Sequence, residues 1–167
     1  MSKVEHIGNF NKWFHGPLQL LIPERDAGFA VLLIAFPLLE RYLKGVSGCK
    51  AGSFDFATAL LAWLPELKSP KNAELFWGMY RHGLLHNLTA PKANFKLSHD
   101  ALIVEMGRDG TVWLNPQHFA ERVLQSIATN FSAYEMGGTP LPIVAEYIEP
   151  TFGLSYLGTS TPPTVGR

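Results

Sequence analysis

Val4, Ile7, Phe10, Trp13 and Phe14 recur at spacings of three and four residues, which puts them on one face of a helix. Ser2 can cap that helix, and Gly16-Pro17 is expected to end it near His15. After a loop holding Leu20, Leu21 and Ile22, Pro23 stands where a first-turn proline is tolerated, and Glu24 and Asp26 suit the positive start of a helix. From there to about Lys44 the chain is apolar on nearly every face, which predicts the central, most buried helix, kinked at Pro37 and stopped at Gly45. Ser53 can cap the next helix, with Phe54, Phe56, Ala57, Leu60, Leu61 and Leu64 inward and a break near Pro65. Ser69-Pro70 then joins a cap to a first-turn proline. The helix it opens carries Leu75, Phe76, Met79, Tyr80, Leu84 and Leu85 and is expected to reach His86-Asn87.

The period then changes from 3.6 to 2. Ala101 to Met106, the turn Gly107-Arg108-Asp109-Gly110, and Thr111 to Leu114 read as a β-hairpin over about 101–114. Asn115-Pro116 again combines cap and first-turn proline, opening a helix through Phe119, Val123, Leu124, Ile127 and Phe131 to Met136, closed by Gly137-Gly138. The pattern predicts an all-α fold: a bundle of about five helices over residues 1–138 with one inserted hairpin, followed by an extended tail over 139–167. That tail is rich in proline, threonine and glycine, yet Ile143, Val144, Tyr147, Ile148, Phe152, Leu154, Tyr156 and Leu157 are apolar. Its first half is expected to dock on the bundle or on a second subunit, and Ser160 to Arg167 to be mobile.

Composition narrows the function. A chain of 167 residues is one domain's worth. Only 17% of it is charged, against 47% hydrophobic, below the usual charged share of about 25%, which suggests that a partner covers some apolar surface. Fourteen basic and fourteen acidic side chains cancel, so any contact with a polyanion must come from a local cluster. The longest apolar stretch, Ala27 to Leu39, is thirteen residues, short of the roughly 20 that a spanning helix needs. MSKVEHIGNF lacks the apolar core of a signal peptide, and a cytoplasmic location without membrane contact is expected. The single Cys49 excludes an intrachain disulfide and fits a reducing compartment.

Chemistry concentrates in Arg81-His82-Gly83-Leu84-Leu85-His86. At about 100° per residue, His82 and His86 share a helix face, whereas Arg81 and His86 stand roughly 140° apart. They converge only through the arginine's length, a helix distortion or a second subunit. An imidazole moves protons near neutral pH, and a guanidinium grips a phosphate in a bidentate way. Together they suffice for RNA cleavage through the 2′-hydroxyl without metal or other cofactor, and a symmetric dimer would supply both an acid and a base.

The stretch Tyr80-Arg81-His82-Gly83-Leu84-Leu85-His86 resembles the R-x4-6-H signature of the HEPN superfamily (higher eukaryotes and prokaryotes nucleotide-binding), in which a polar residue commonly follows the arginine. The resemblance implies a helical bundle that dimerises through its motif helices and acts as a metal-independent endoribonuclease of the toxin–antitoxin or phage-defence kind. It implies Arg81 and His86 as catalytic, His82 as their polar companion, and an assisting acid on an earlier helix, for which Glu40 is the candidate. RNA is then the substrate, and an antitoxin or other protein a further partner. The superfamily also includes silent members that bind nucleotides or proteins, and that remains the alternative.

Plainer roles compete for the same residues. Arg81 could neutralise a buried Glu40 or Glu74, and His86 could cap its own helix, where a cation is favoured by about 0.3–1 kcal/mol. His82-x3-His86 is a workable two-ligand spacing for a metal, with His99, His118 or a carboxylate as a third ligand, but the zinc-protease glutamate after His82 is absent. Cys49 has no adjacent histidine to make it a nucleophile. Gly45-Val46-Ser47-Gly48 lacks the length and ending of a phosphate-binding loop.

Overall fold

A computed structural model describes residues 3–47, 54–84, 93–95 and 102–135. The first helical rod consists of α1 (Lys3–Phe10), a π turn (Asn11–His15) and α2 (Gly16–Leu21). Gly16-Pro17 therefore does not end the helix as expected. Proline lacks an N–H and its ring collides with the carbonyl four residues back; here a wider turn precedes it, and the Gly16 N–H donates to the Asn11 carbonyl. A Cβ on Gly16 would stand 3.1 Å from that oxygen, so the glycine relieves crowding in the turn.

A 3-10 turn (Arg25–Ala27) leads into α3 (Gly28–Ser47), which starts later than the acidic residues suggest and continues unbroken through Pro37 and past Gly45. At its start a Cβ on Gly28 would meet the Pro116 ring at 3.2 Å, so the glycine permits close approach of α3 to the last helix. At its end the Ser47 hydroxyl donates to the Leu43 carbonyl at 2.6 Å. Val31, Leu32, Ala35, Phe36, Leu38, Leu39 and Leu43 are all buried, as expected of the central helix.

Next comes α4 (Phe54–Trp63), which buries Phe56, Ala57 and Leu60. It stops before Pro65, as expected, and a 3-10 turn (Pro65–Leu67) follows. The Ser53 cap lies outside the described residues. Ser69 caps α5 (Pro70–Trp77) as the sequence predicts, its Oγ accepting from the Asn72 N–H at 3.2 Å. Ala73, Phe76, Trp77 and Tyr80 form the buried stripe, and Leu75, one position off it, is exposed rather than inward.

The expected hairpin is present as β2 (Val104–Met106) and β3 (Val112–Leu114), antiparallel with Val104 opposite Leu114. Gly110 takes a φ of 82° in its turn, a conformation that favours glycine. A third strand that the sequence does not announce, β1 (Ala93–Phe95), pairs in parallel with β3 and gives the order β1-β3-β2. Three residues are too few for alternation to register, and a parallel pairing leaves no turn signature.

Asn115 caps α6 (Pro116–Glu135) as expected: its Oδ1 accepts from the Gln117 and His118 N–H groups, both at 3.1 Å. Phe119, Val123, Leu124 and Ile127 turn inward, and α3 packs chiefly against this helix. Phe131's packing, the Gly137-Gly138 closure and the docked tail lie outside the described residues. The chain is thus an all-α bundle with a small sheet inserted before its last helix. Among the described residues, no helix is long and apolar enough to cross a membrane.

Candidate functional site

Aromatic packing positions the Arg81 segment. The Phe36 ring on α3 lies 5.8 Å from Phe76, 5.7 Å from Trp77 and 6.1 Å from Tyr80, the last stacked within 12°. Phe119 of α6 closes the cluster at 4.7 Å from Phe36. The buried Tyr80 hydroxyl donates to the Val112 carbonyl on β3 at 2.9 Å. Tyr80 thus ties the segment to α3 through its ring and to the sheet through its oxygen.

Between these anchors the helix widens into a π turn (Gly78–His82), with the Gly83 N–H donating back to the Gly78 and Tyr80 carbonyls. A π turn is one of the distortions that can bring Arg81 and His86 together, and such turns recur at functional sites. His86 lies outside the described residues, as do Leu85, Asn87 and His99.

Arg81 and Glu40 meet across the two helices: Nε donates to Oε2 at 2.9 Å. The Lys44 ammonium donates to the other carboxylate oxygen, Oε1, at 2.7 Å. Glu40 is nearly enclosed, with 11% of its side chain exposed, against 23% for Arg81 and 34% for Lys44. Burial pushes the Glu40 carboxyl pKa up, but the Lys44 hydrogen bond and the charges of Arg81 and Lys44 outweigh burial and hold it below its ordinary value. One carboxylate thus meets two cations, with the guanidinium oriented through Nε.

His82 takes a different direction. It is exposed and lines a hollow of about 390 Å³ with Phe56, Ala57, Ala73, Glu74, Trp77 and Gly78. The structure therefore brings Glu40 to Arg81, as one candidate pairing anticipated. Glu74, the other possible partner for Arg81, is exposed and lines the His82 hollow.

Two contributors were missed. Lys44 was legible as the i+4 cation after Glu40, a spacing that lets side chains on a helix meet. In the sequence Tyr80 is one more apolar-face residue of its helix, because no local pattern announces a hydroxyl bond to a carbonyl on a distant strand. His118, a possible third metal ligand, stands at the start of α6 with Nδ1 3.3 Å from the Asn115 amide nitrogen. Among the described residues no three His, Cys, Asp or Glu gather in a metal-holding group. Compared with family models, curated proteins and solved structures, the chain matches none.

Proposed function

We propose that this chain is a metal-independent endoribonuclease of the HEPN type, cleaving RNA by attack of the 2′-hydroxyl on the adjacent phosphorus. His86 takes the 2′-proton as the new O–P bond forms. The bond from phosphorus to the 5′-oxygen breaks, and a second imidazole, His82 or the partner's His86, protonates the leaving oxygen. The products are a 2′,3′-cyclic phosphate and a 5′-hydroxyl. Arg81 clamps the phosphate and stabilises the charge that grows on it. A homodimer joined through the motif helices supplies the second proton carrier.

The Glu40–Arg81 contact carries this reading. A carboxylate that holds Nε fixes the guanidinium plane, and planar orientation is what a bidentate phosphate grip requires. Glu40 is thus a positioning residue. The second reading, a silent bundle that binds a protein or a nucleotide, rests on the same atoms: Lys44, Glu40 and Arg81 also make an ion triad that stabilises the helix pair without chemistry.

The test is incubation of the full chain with mixed RNA in EDTA beside Arg81→Ala and His86→Ala. The nuclease reading expects cleavage by the native chain and a loss on the order of 100-fold or more in each variant, with His86→Ala unchanged in thermal stability. Equal background from all three proteins leaves the silent module standing.

A further inference from the structure

The cleavage chemistry leaves the hollow beside His82 unused. Its volume of about 390 Å³ falls among pockets that hold small organic molecules, roughly 300–1,000 Å³. Phe56 and Trp77 form its inner wall, both buried and packed ring to ring with 4.6 Å between centroids. Ala57 and Ala73 extend that apolar wall with small side chains that leave the space open. Glu74, Gly78 and His82 are exposed at the rim, and a Cβ on Gly78 would meet nothing within 4 Å. In a regular α-helix His82 would stand about 80° round from Glu74, at about 100° per residue. The π turn puts an extra residue into its turn and swings His82 back, so both side chains line one hollow.

We propose that this hollow binds a guanine base, with Glu74 as the residue that recognises it. A carboxylate only accepts hydrogen bonds, and among the described residues the Glu74 side chain has no ion-pair or hydrogen-bond partner. Guanine presents two adjacent donors, N1–H and the 2-amino group, which one carboxylate takes together. Adenine and cytosine set a ring-nitrogen acceptor beside their amino group, and uracil sets two carbonyls around a single N–H. Each of those edges turns an acceptor toward Glu74 and is repelled. At the far end of the guanine edge O6 accepts, and a ring N–H of His82 donates to it.

Among the described residues no lysine or arginine lines the hollow, so the phosphate stays outside it. Arg81, the residue before His82, leaves the same turn in another direction and is the cation nearest in sequence for that phosphate. As a base within RNA the guanine rests on the nuclease reading; it then engages His82 and leaves the second proton to the partner's His86. As a free nucleotide it does not rest on that reading.

Titration calorimetry on the full chain tests the site with guanosine, inosine and adenosine monophosphates. Guanosine monophosphate is expected to bind about tenfold or more tighter than the inosine form, which lacks the 2-amino group, and adenosine monophosphate to bind more weakly still. Glu74→Gln should erase that preference. Gly78→Leu, whose side chain fills the hollow, should abolish binding without lowering the melting temperature. Short RNAs carrying a single guanine, hypoxanthine or adenine, 2′-O-methylated to block cleavage, identify the source. A guanine preference in them alone assigns the site to RNA, and one shared with the mononucleotides assigns it to guanine nucleotides at large. No guanine preference in either form, or one that survives Glu74→Gln, overturns the proposal. Neither measurement needs cleavage, so a chain inert toward RNA in EDTA removes the nuclease reading without touching this one.

Discussion

The chain makes a π turn at Asn11–His15 and again at Gly78–His82, and different forces hold the two. The first contains no buried residue, and its cause sits beside it in the sequence: a proline that a regular helix cannot absorb and a glycine that accepts the crowding. The second has no neighbouring proline. Its Tyr80 is fully buried against Phe36 and bonded to β3, and its Arg81 reaches Glu40 on α3. One distortion accommodates the chain's own covalent geometry. The other is held by contacts from distant elements, and it carries the candidate chemistry.

Removing an ion-pair partner at the second turn should therefore cost far more than truncating an exposed side chain at the first. Arg81→Ala leaves the enclosed Glu40 with Lys44 alone and is expected to cost about 2–3 kcal/mol in urea unfolding, whereas Lys12→Ala should stay within about 0.5 kcal/mol. A comparable loss for both would erase the contrast.

Acid probes the same ion triad. The folded Glu40 pKa is lowered, so its contribution is complete above the unfolded glutamate value near 4.3 and is lost as pH falls through that value toward the lower folded one. Between about pH 6 and about pH 3 the native protein should lose more stability than Glu40→Gln, measured by denaturant midpoint. Parallel pH profiles would remove the triad from the account.

Tyr80→Phe separates ring from hydroxyl. It keeps the stack on Phe36 but removes the hydrogen bond to the Val112 carbonyl, with an expected loss of about 0.5–1.5 kcal/mol. An unchanged unfolding midpoint would show that the ring alone suffices.

The smallest effect is a difference in sign between two glycines. Gly16→Ala places a Cβ 3.1 Å from the Asn11 oxygen and should lower stability by up to about 1 kcal/mol. Gly78→Ala meets nothing within 4 Å and should raise it by about 0.5–1 kcal/mol through helix propensity. Thermal melts of the two variants decide, and a shared sign would put both turns under the same kind of restraint.

Much of this fold was readable from residue order. Ser69 and Asn115 cap their helices by accepting N–H groups two or three residues on, and Pro65 stops α4 without help from the rest of the molecule. The apolar run of α3 could be satisfied only at the centre. Leu75 is exposed because a stripe of apolar letters does not say which of two adjacent positions faces the core, and its neighbour Phe76 takes the buried place.

The candidate site was legible in its residue types and only partly in its partners. Arg81, His82 and Glu40 were named from local order and resemblance, yet whether the arginine met Glu40 or Glu74 stayed open. Residue order alone determined where most helices begin, which one lies deepest and where the hairpin turns, because caps, prolines and periodicity act over a few neighbouring residues. Only the folded chain decided that Arg81 meets a carboxylate 41 positions away and that β1 joins β3 in parallel. Those outcomes follow from closing long loops and packing faces whose partners are far apart in sequence, and such energies do not exist until the core has formed.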